Sequence, residues 1–458
     1  MRTSHRLGSR ARCQHEGPEQ PRGENLREMS LVLHGATLID GTGADPRPAA
    51  ISTDGERIAS IGERSAPKRA ARVIDCSGLT LLPGLIDAHS HLGLAVDASD
   101  LAGIRTGFVS PAEIAAQIFR NCELCIDAGF TTVRDMCGID GGVAQTVEKG
   151  LVKGPRIFPS GPALVQHGGH GHESGPFEEH DVFCRLPGLV QMLTVCDSPD
   201  EIRFAARKNF RRGATQLKAF ISGGVVSLTD RLEDTQLTVE ELRAAVIEAE
   251  ARDTYVAGHA HNVRAIRNGL AAGLACFEHA TFLDEATATA IAKAGAAIDP
   301  TLAVCHLMAS EYKKWGLHES VVPRVAGCER AMAESIKMAS AAGVLIGSGS
   351  DLLGPEQNRR GLELALKAKI VGPMEAIVCA TRNNARIMHQ EERLGTLETG
   401  KYADLIAVRG DPLDDPRLFD DPSRVVLVIK GGKVVKDVMD ARDGDGRAEA
   451  DRLSAARA

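Results

Sequence analysis

The chain has 458 residues, with 54 basic side chains against 61 acidic ones and a net charge of −7. That mild acidity, without a long basic run, argues against nucleic acid as the main partner, and an aromatic content of 3% offers no platform for stacking bases. No window approaches the roughly 18 uninterrupted apolar residues of a membrane helix, while an apolar share of 43% is ample for a large core; a soluble cytoplasmic protein with no membrane partner is expected.

Residues 1–28 are rich in Arg, Glu and Gly and contain no apolar run, so they read as a disordered extension rather than a secretory signal. Met29 stands directly before a strand-like run and is an alternative start. Residues 30–83 hold short β-type runs, among them Leu31–Ile39, Arg57–Ile61 and Val73-Ile74, with Asp54-Gly55 as a turn. The same texture returns over 391–439, at Ala403–Val408, Val425–Ile429 and Lys433–Val435. One small β-sandwich built from both chain ends is the economical reading. The stretch 440–458 is charged, Ala-rich and read as a frayed tail. Eleven cysteines without paired spacing suggest reduced thiols, and Cys122 and Cys125 read as packed or surface thiols within an amphipathic helix.

Between the ends, residues 84–390 alternate strand-like and helix-like segments. Helix starts are marked at Ser110-Pro-Ala-Glu113, Ser198-Pro-Asp-Glu201 and Thr238-Val-Glu-Glu241, where the hydroxyl can accept the N–H three residues on. Apolar runs at Leu85-Ile86, Phe130–Val133, Arg156–Phe158, Gln216–Ile221, Tyr255–Ala257, Ala275–Phe277, Ala296–Ile298 and Val344–Ile346 make about eight βα units. Eight units over some 300 residues predict an α/β fold of the (β/α)8 TIM barrel type rather than an open doubly wound sheet.

In such a barrel the reactive groups sit where strands end. Strand one ends in Asp87-Ala-His89-Ser-His91, and alternation puts both imidazoles on one side, able to bind one or two metal ions. Further strand ends offer Lys218, His259-Ala-His261, Glu278-His279 and Gly349-Ser-Asp351. A lysine in a buried strand is costly unless its charge is removed or paired. Two readings stand: a carbamate formed with CO2, which would bridge two cations, or an ion pair with Asp351.

His89-Ser-His91 preceded by Leu82-Pro-Gly-Leu-Ile-Asp-Ala, then Lys218, His259, His279 and Asp351, resembles the amidohydrolase superfamily over residues of about 30 to 437. Gly168-Gly-His170, Ser222-Gly-Gly-Val225, Glu278-His279 and Pro300-Thr301 resemble its Xaa-Pro dipeptidase and imidazolonepropionase-related branch, with prolidase-like, carboxypeptidase-like and ochratoxinase-like members. The resemblance implies two divalent ions, zinc first. His89, His91 and Asp351 would hold the more buried one, and carbamylated Lys218 would bridge to a second completed by His259 and His279. It further implies Asp351 as proton shuttle, His170 as a donor to the oxyanion, and His261 facing the substrate. His261 stands where several prolidase-like relatives have a tyrosine, a departure that puts a proline preference in doubt. Arg231, His261 and Arg134 are candidates for a substrate carboxylate, although each arginine reads equally as a salt bridge, Arg134 with Asp135. His167 and His172 are peripheral or an extra metal site.

The expected activity is hydrolysis of amide bonds in dipeptides or N-acyl amino acids, by a homo-oligomer. The alternative is attack on a urea, carbamate, anilide or cyclic amide. A deaminase fits less well, since that branch usually lacks the bridging lysine and keeps a glutamate three residues after the strand-five histidine, where this chain has Asn262. A non-enzymatic barrel scaffold would be expected to have broken the ligand set, which is intact here.

Overall fold

The computed structural model describes residues 30–63, 72–94, 109–172, 177, 185–227 and 230–440. The expected N-terminal extension and nearly all of the C-terminal tail fall outside the described residues. Strands come in three blocks. The first is β1 Leu31–Leu38, β2 Arg47–Asp54, β3 Arg57–Gly62, β4 Arg72–Asp75 and β5 Leu79–Pro83. The second comprises β6 Leu85–Ser90, β7 Phe130–Asp135, β8 Gly138–Ile139, β9 Arg156–Pro159, β10 Ala163–Val165, β11 Arg185–Leu186, β12 Val190–Gln191, β13 Leu193–Val195, β14 Leu217–Phe220, β15 Val256–Ala260, β16 Cys276–His279, β17 Ala297–Asp299 and β18 Leu345–Ile346. The third is β19 Leu405–Arg409, β20 Val425–Lys430 and β21 Lys433–Asp437.

Both chain ends meet in one sheet, ordered β21-β20-β19-β5-β1-β2-β3, with β4 added beside β1. The join is β5 against β19, antiparallel, with Leu81 opposite Ala407. Alternation between two buried layers explains why β19 is apolar from Leu405 to Val408. Leu405 and Ala407 face Leu33, Leu38, Ile51 and Leu427, whereas Ile406 and Val408 belong to the layer containing Ile118, Cys122 and Phe130. The helix Pro111–Asp127 carries that second layer through buried Ile114, Ile118, Cys122, Cys125 and Ile126, at helical spacing. Its start is capped as predicted, the Ser110 side chain accepting from the Glu113 N–H. Cys122 and Cys125 are buried thiols whose ionisation burial pushes up, to about 12 for Cys125, and all described cysteines are free.

The middle block forms two parallel sheets backed by helices, and β11-β12-β8 make a small antiparallel sheet beside them. One has seven strands, β13-β10-β14-β15-β16-β17-β18, and another three, β6-β7-β9. The ladders do not run on from one sheet into the other, and two breaks account for that. At Ser160-Gly161-Pro162 the chain turns through a left-handed glycine, φ +67, and proline supplies no N–H, so β9 stays with β7 while β10 pairs with β14. After the two residues of β18, side chains replace ladder bonds. Asn384 Nδ2 donates to Ile86 O and Ser348 O, and its Oδ1 accepts the Ser348 N–H. Two main-chain bonds still cross here, Ala88 N to Ser348 O at 3.1 Å and Asp351 N to His89 O at 2.8 Å. Among the described residues no helix is long and apolar enough to cross a membrane.

Candidate active site

The C-terminal ends of β6, β15 and β16 and the turn after β18 bring five imidazoles and a carboxylate together. Two donor sets result: His89, His91 and Asp351, and His259, His261 and His279, the ligand atoms within each lying within 4.8 Å of one another. In the first, His89 Nε2 lies 3.2 Å from His91 Nε2, and Asp351 Oδ1 lies 3.0 Å and 3.5 Å from those two nitrogens. In the second, His279 Nε2 lies 2.9 Å from His259 Nδ1, and the His261 ring stacks on His279 at 4.9 Å. The sets adjoin, with Asp351 Oδ2 3.8 Å from His279 Nδ1.

Backbone conformation makes this convergence possible. Neighbours on a strand point to opposite faces, yet Glu278 and His279 both reach inward, because His279 sits at φ +66. Asp351 is likewise left-handed, at φ +54, an uncommon state for non-glycine residues and one that clusters at functional sites. A Cβ on Gly349 would lie 2.2 Å from the His89 Cβ, so only glycine lets the Asp351 strand approach this closely. Asp87 ties the two strands, its Oδ1 accepting the His89 and Ser350 N–H groups and its Oδ2 accepting from Ser350 Oγ and Arg360.

Each ring is fixed by its other nitrogen. His89 Nδ1 meets Glu278 Oε2 at 2.6 Å, and His91 Nδ1 meets Cys137 O at 3.3 Å. His279 and His261 use the hydroxyls of Thr301 and Thr281, at 2.8 Å and 2.7 Å, and His259 Nε2 faces Gly223 O at 3.4 Å. Burial, seconded by Lys218, pushes His89 down to about 4; burial and the neighbouring imidazoles hold His259 and His279 well below the usual range and His261 at about 3. Burial acts the same way on His91, but Cys137 and Asp351 outweigh it and hold His91 above that range. Burial raises Asp351, and His89 and His91 outweigh that, keeping its carboxyl low. The donor set therefore fits divalent cations: imidazole nitrogens aimed at one another, all but His91 held below the usual range, with a carboxylate among them and each ring braced from behind.

Lys218 is buried on β14, its Nζ 5.6 Å from the Phe220 ring centroid, and burial lowers its pKa. The alternative ion pair between Lys218 and Asp351 is not formed. His170 stacks on His259 with ring centroids 4.3 Å apart and meets Ser227 Oγ at 3.4 Å. Arg231 is not brought in: its guanidinium pairs with Asp234 at 2.7 Å and the side chain is 80% exposed. Arg134 pairs neither with a substrate site nor with Asp135. It lies fully buried below the imidazoles and donates to Glu278 and Asp299. His167 pairs with Asp197, and His172 Nδ1 accepts the Gly168 N–H. Sequence reasoning gave no role to Glu278, Asp87 or Arg360; the signal for the first two was their place beside the histidines.

The sequence model of the amidohydrolase family matches residues 80–435, and the chain belongs to that family of metal-dependent enzymes. It is a hydrolase acting on carbon–nitrogen bonds. Among its relatives, ochratoxinase of Aspergillus niger is 30% identical over 418 residues, spanning 88% of this chain and 86% of that one. Imidazolonepropionase of Pseudomonas aeruginosa is 27% identical over 409 residues, 83% and 92% of the two chains. A prolidase crystallised with N-methylphosphonate-L-proline superposes with a TM-score of 0.83 at 35% identity, covering 89% of this chain and all of that one. These place it in the prolidase- and ochratoxinase-like branch.

Proposed function

We propose that the chain is a binuclear-metal amidohydrolase that cleaves dipeptides or N-acyl amino acids, with the two parallel sheets as arcs of one (β/α)8 barrel. The observation that carries this is the pair of adjoining donor sets, His89, His91 and Asp351 beside His259, His261 and His279. In this reading His89, His91 and Asp351 hold one ion and His259 and His279 the other. Lys218 would be the shared ligand as a carbamate, formed when its unprotonated amine bonds CO2 and releases one proton. Zinc ions held there would supply a water of lowered pKa and a polarised scissile carbonyl.

The chain's own groups do the rest. Asp351, with both oxygens among imidazoles, takes the proton of the attacking water and returns it to the leaving nitrogen. His170, stacked on His259, donates to the oxyanion. His261 faces the substrate. A second reading, in which the substrate is a urea, carbamate, anilide or cyclic amide, is favoured by one observation: the two arginines foreseen for a carboxylate are committed elsewhere, Arg231 to Asp234 and Arg134 to Glu278 and Asp299.

The test is one panel assayed with chelated and zinc-reloaded protein. It pairs dipeptides and N-acyl amino acids ending in Pro, Phe, Leu, Arg or Lys with phenylureas, carbamates and lactams. Amino-acid release that vanishes on chelation and returns with zinc is expected. Cleavage confined to ureas or lactams would move the reading to the second substrate class, and activity indifferent to chelation would end it.

A further inference from the structure

Of the imidazoles in the two donor sets, His89 alone is backed by a carboxylate among the described residues; main-chain carbonyls or hydroxyls stand behind the other four, with the Cys137 thiol also facing His91 Nδ1 at 3.7 Å. That carboxylate, Glu278, is fully buried and uses both oxygens, Oε2 on His89 Nδ1 at 2.6 Å and Oε1 on Arg134 Nη2 at 2.8 Å. Arg134 in turn grips the strand that carries His89. Its Nε donates to Ala88 O at 2.5 Å, its Nη1 to the Tyr255 hydroxyl at 3.2 Å, and its Nη2 also to Asp299 at 3.1 Å. His89, Glu278 and Asp299 also lie close enough to hold an ion of their own. There, however, the guanidinium already donates to both carboxylates and is the resident cation.

We propose that Glu278, braced by Arg134, is a positioning residue that fixes the tautomer and ring angle of His89, making the His89–His91–Asp351 set the tighter of the two ion sites. The proposal rests on the binuclear reading above. A buried carboxylate behind a ligating imidazole holds the proton on Nδ1, leaves the Nε2 lone pair toward the ion and raises ligand basicity, effects that a carbonyl or hydroxyl supplies more weakly. The left-handed turn at His279 gives the end of β16 two duties. Glu278 backs the first set and His279 enters the second, so a single dipeptide spans both.

The experiment titrates chelated wild type, Glu278→Gln and Arg134→Lys with Co(II), following the visible absorption bands, and then measures zinc affinity by competition with a chromogenic chelator. For wild type, two steps of unequal affinity are expected. Glu278→Gln should weaken the tighter step by about 10–100-fold and shift its absorption band while sparing the other, and Arg134→Lys should do so to a smaller degree. Turnover should fall through kcat more than KM. Circular dichroism reports folding, and Glu278→Asp replaces Glu278→Gln should the latter not fold. Two unchanged steps in Glu278→Gln would overturn the proposal. Equal weakening of both steps would mark a merely structural residue and overturn it too. A wild type that binds no ion would instead sink the binuclear reading and this inference with it.

Discussion

Arg134 and Arg231 carry the same guanidinium into opposite settings. Arg134 has no exposed surface and pairs with Glu278, 144 residues away in the chain, and with Asp299. Arg360 repeats the pattern on Asp87, 273 residues away. Arg231 is 80% exposed and pairs with Asp234, three residues on. Removing one partner of a buried pair leaves an uncompensated charge in a dry site, whereas an exposed pair exchanges one hydrated arrangement for another. The buried pairs of the floor therefore set where the imidazoles stand. The Arg231–Asp234 pair is local and solvated, and can change without disturbing that floor. Substitutions at the two levels should separate accordingly.

The largest effect is expected at Asp351, which stands half-buried between the two donor sets and belongs to the reaction by its position. Asp351→Asn keeps an oxygen for an ion but cannot take up a proton. Its kcat should fall by about 10²–10⁴-fold with ion content, read by elemental analysis, near that of wild type. Near-normal turnover would remove Asp351 as the proton shuttle. Next comes Lys218. Lys218→Ala should purify with one fewer ion per chain and regain part of its ion content and turnover when propionate is supplied in place of the lost carbamate. Unchanged ion content without any such rescue would refute the bridging role.

The same contrast explains what was legible in the sequence. His89, His91, His259, His279 and Asp351, which the structure brings together, were readable because each closes an apolar strand-like run, and a polar side chain there has few bland explanations; Lys218 stood out as a lysine inside such a run. The helix caps at Ser110, Ser198 and Thr238 were readable for a similar reason, since donor and acceptor lie within one turn; all three accept the foreseen N–H. The floor was not readable. Arg134 could be placed only against its neighbour Asp135 or a substrate, because its real partners arrive through pairing of distant strands. The breaks in the parallel ladder also escaped. Gly161-Pro162 was visible, but that it would send β9 and β10 to different sheets depends on partners the local sequence does not name.

The smallest effect is expected at the rim, and it decides between the two substrate classes. If Arg231 stays with Asp234, Arg231→Ala should leave the melting temperature unchanged and KM within about threefold on every substrate tested. Arg231 carries a guanidinium on an exposed loop side chain, so a substrate carboxylate could draw it inward by outcompeting Asp234. KM would then rise for carboxylate-bearing amides while staying constant for ureas and lactams, and kcat would hold in both groups, since binding equal in ground and transition states appears in KM alone. Measuring both groups on wild type and Arg231→Ala therefore tests more than one residue. A selective rise in KM assigns the carboxylate pocket to the rim; its absence leaves His261, buried among the imidazoles, as the group that meets the substrate.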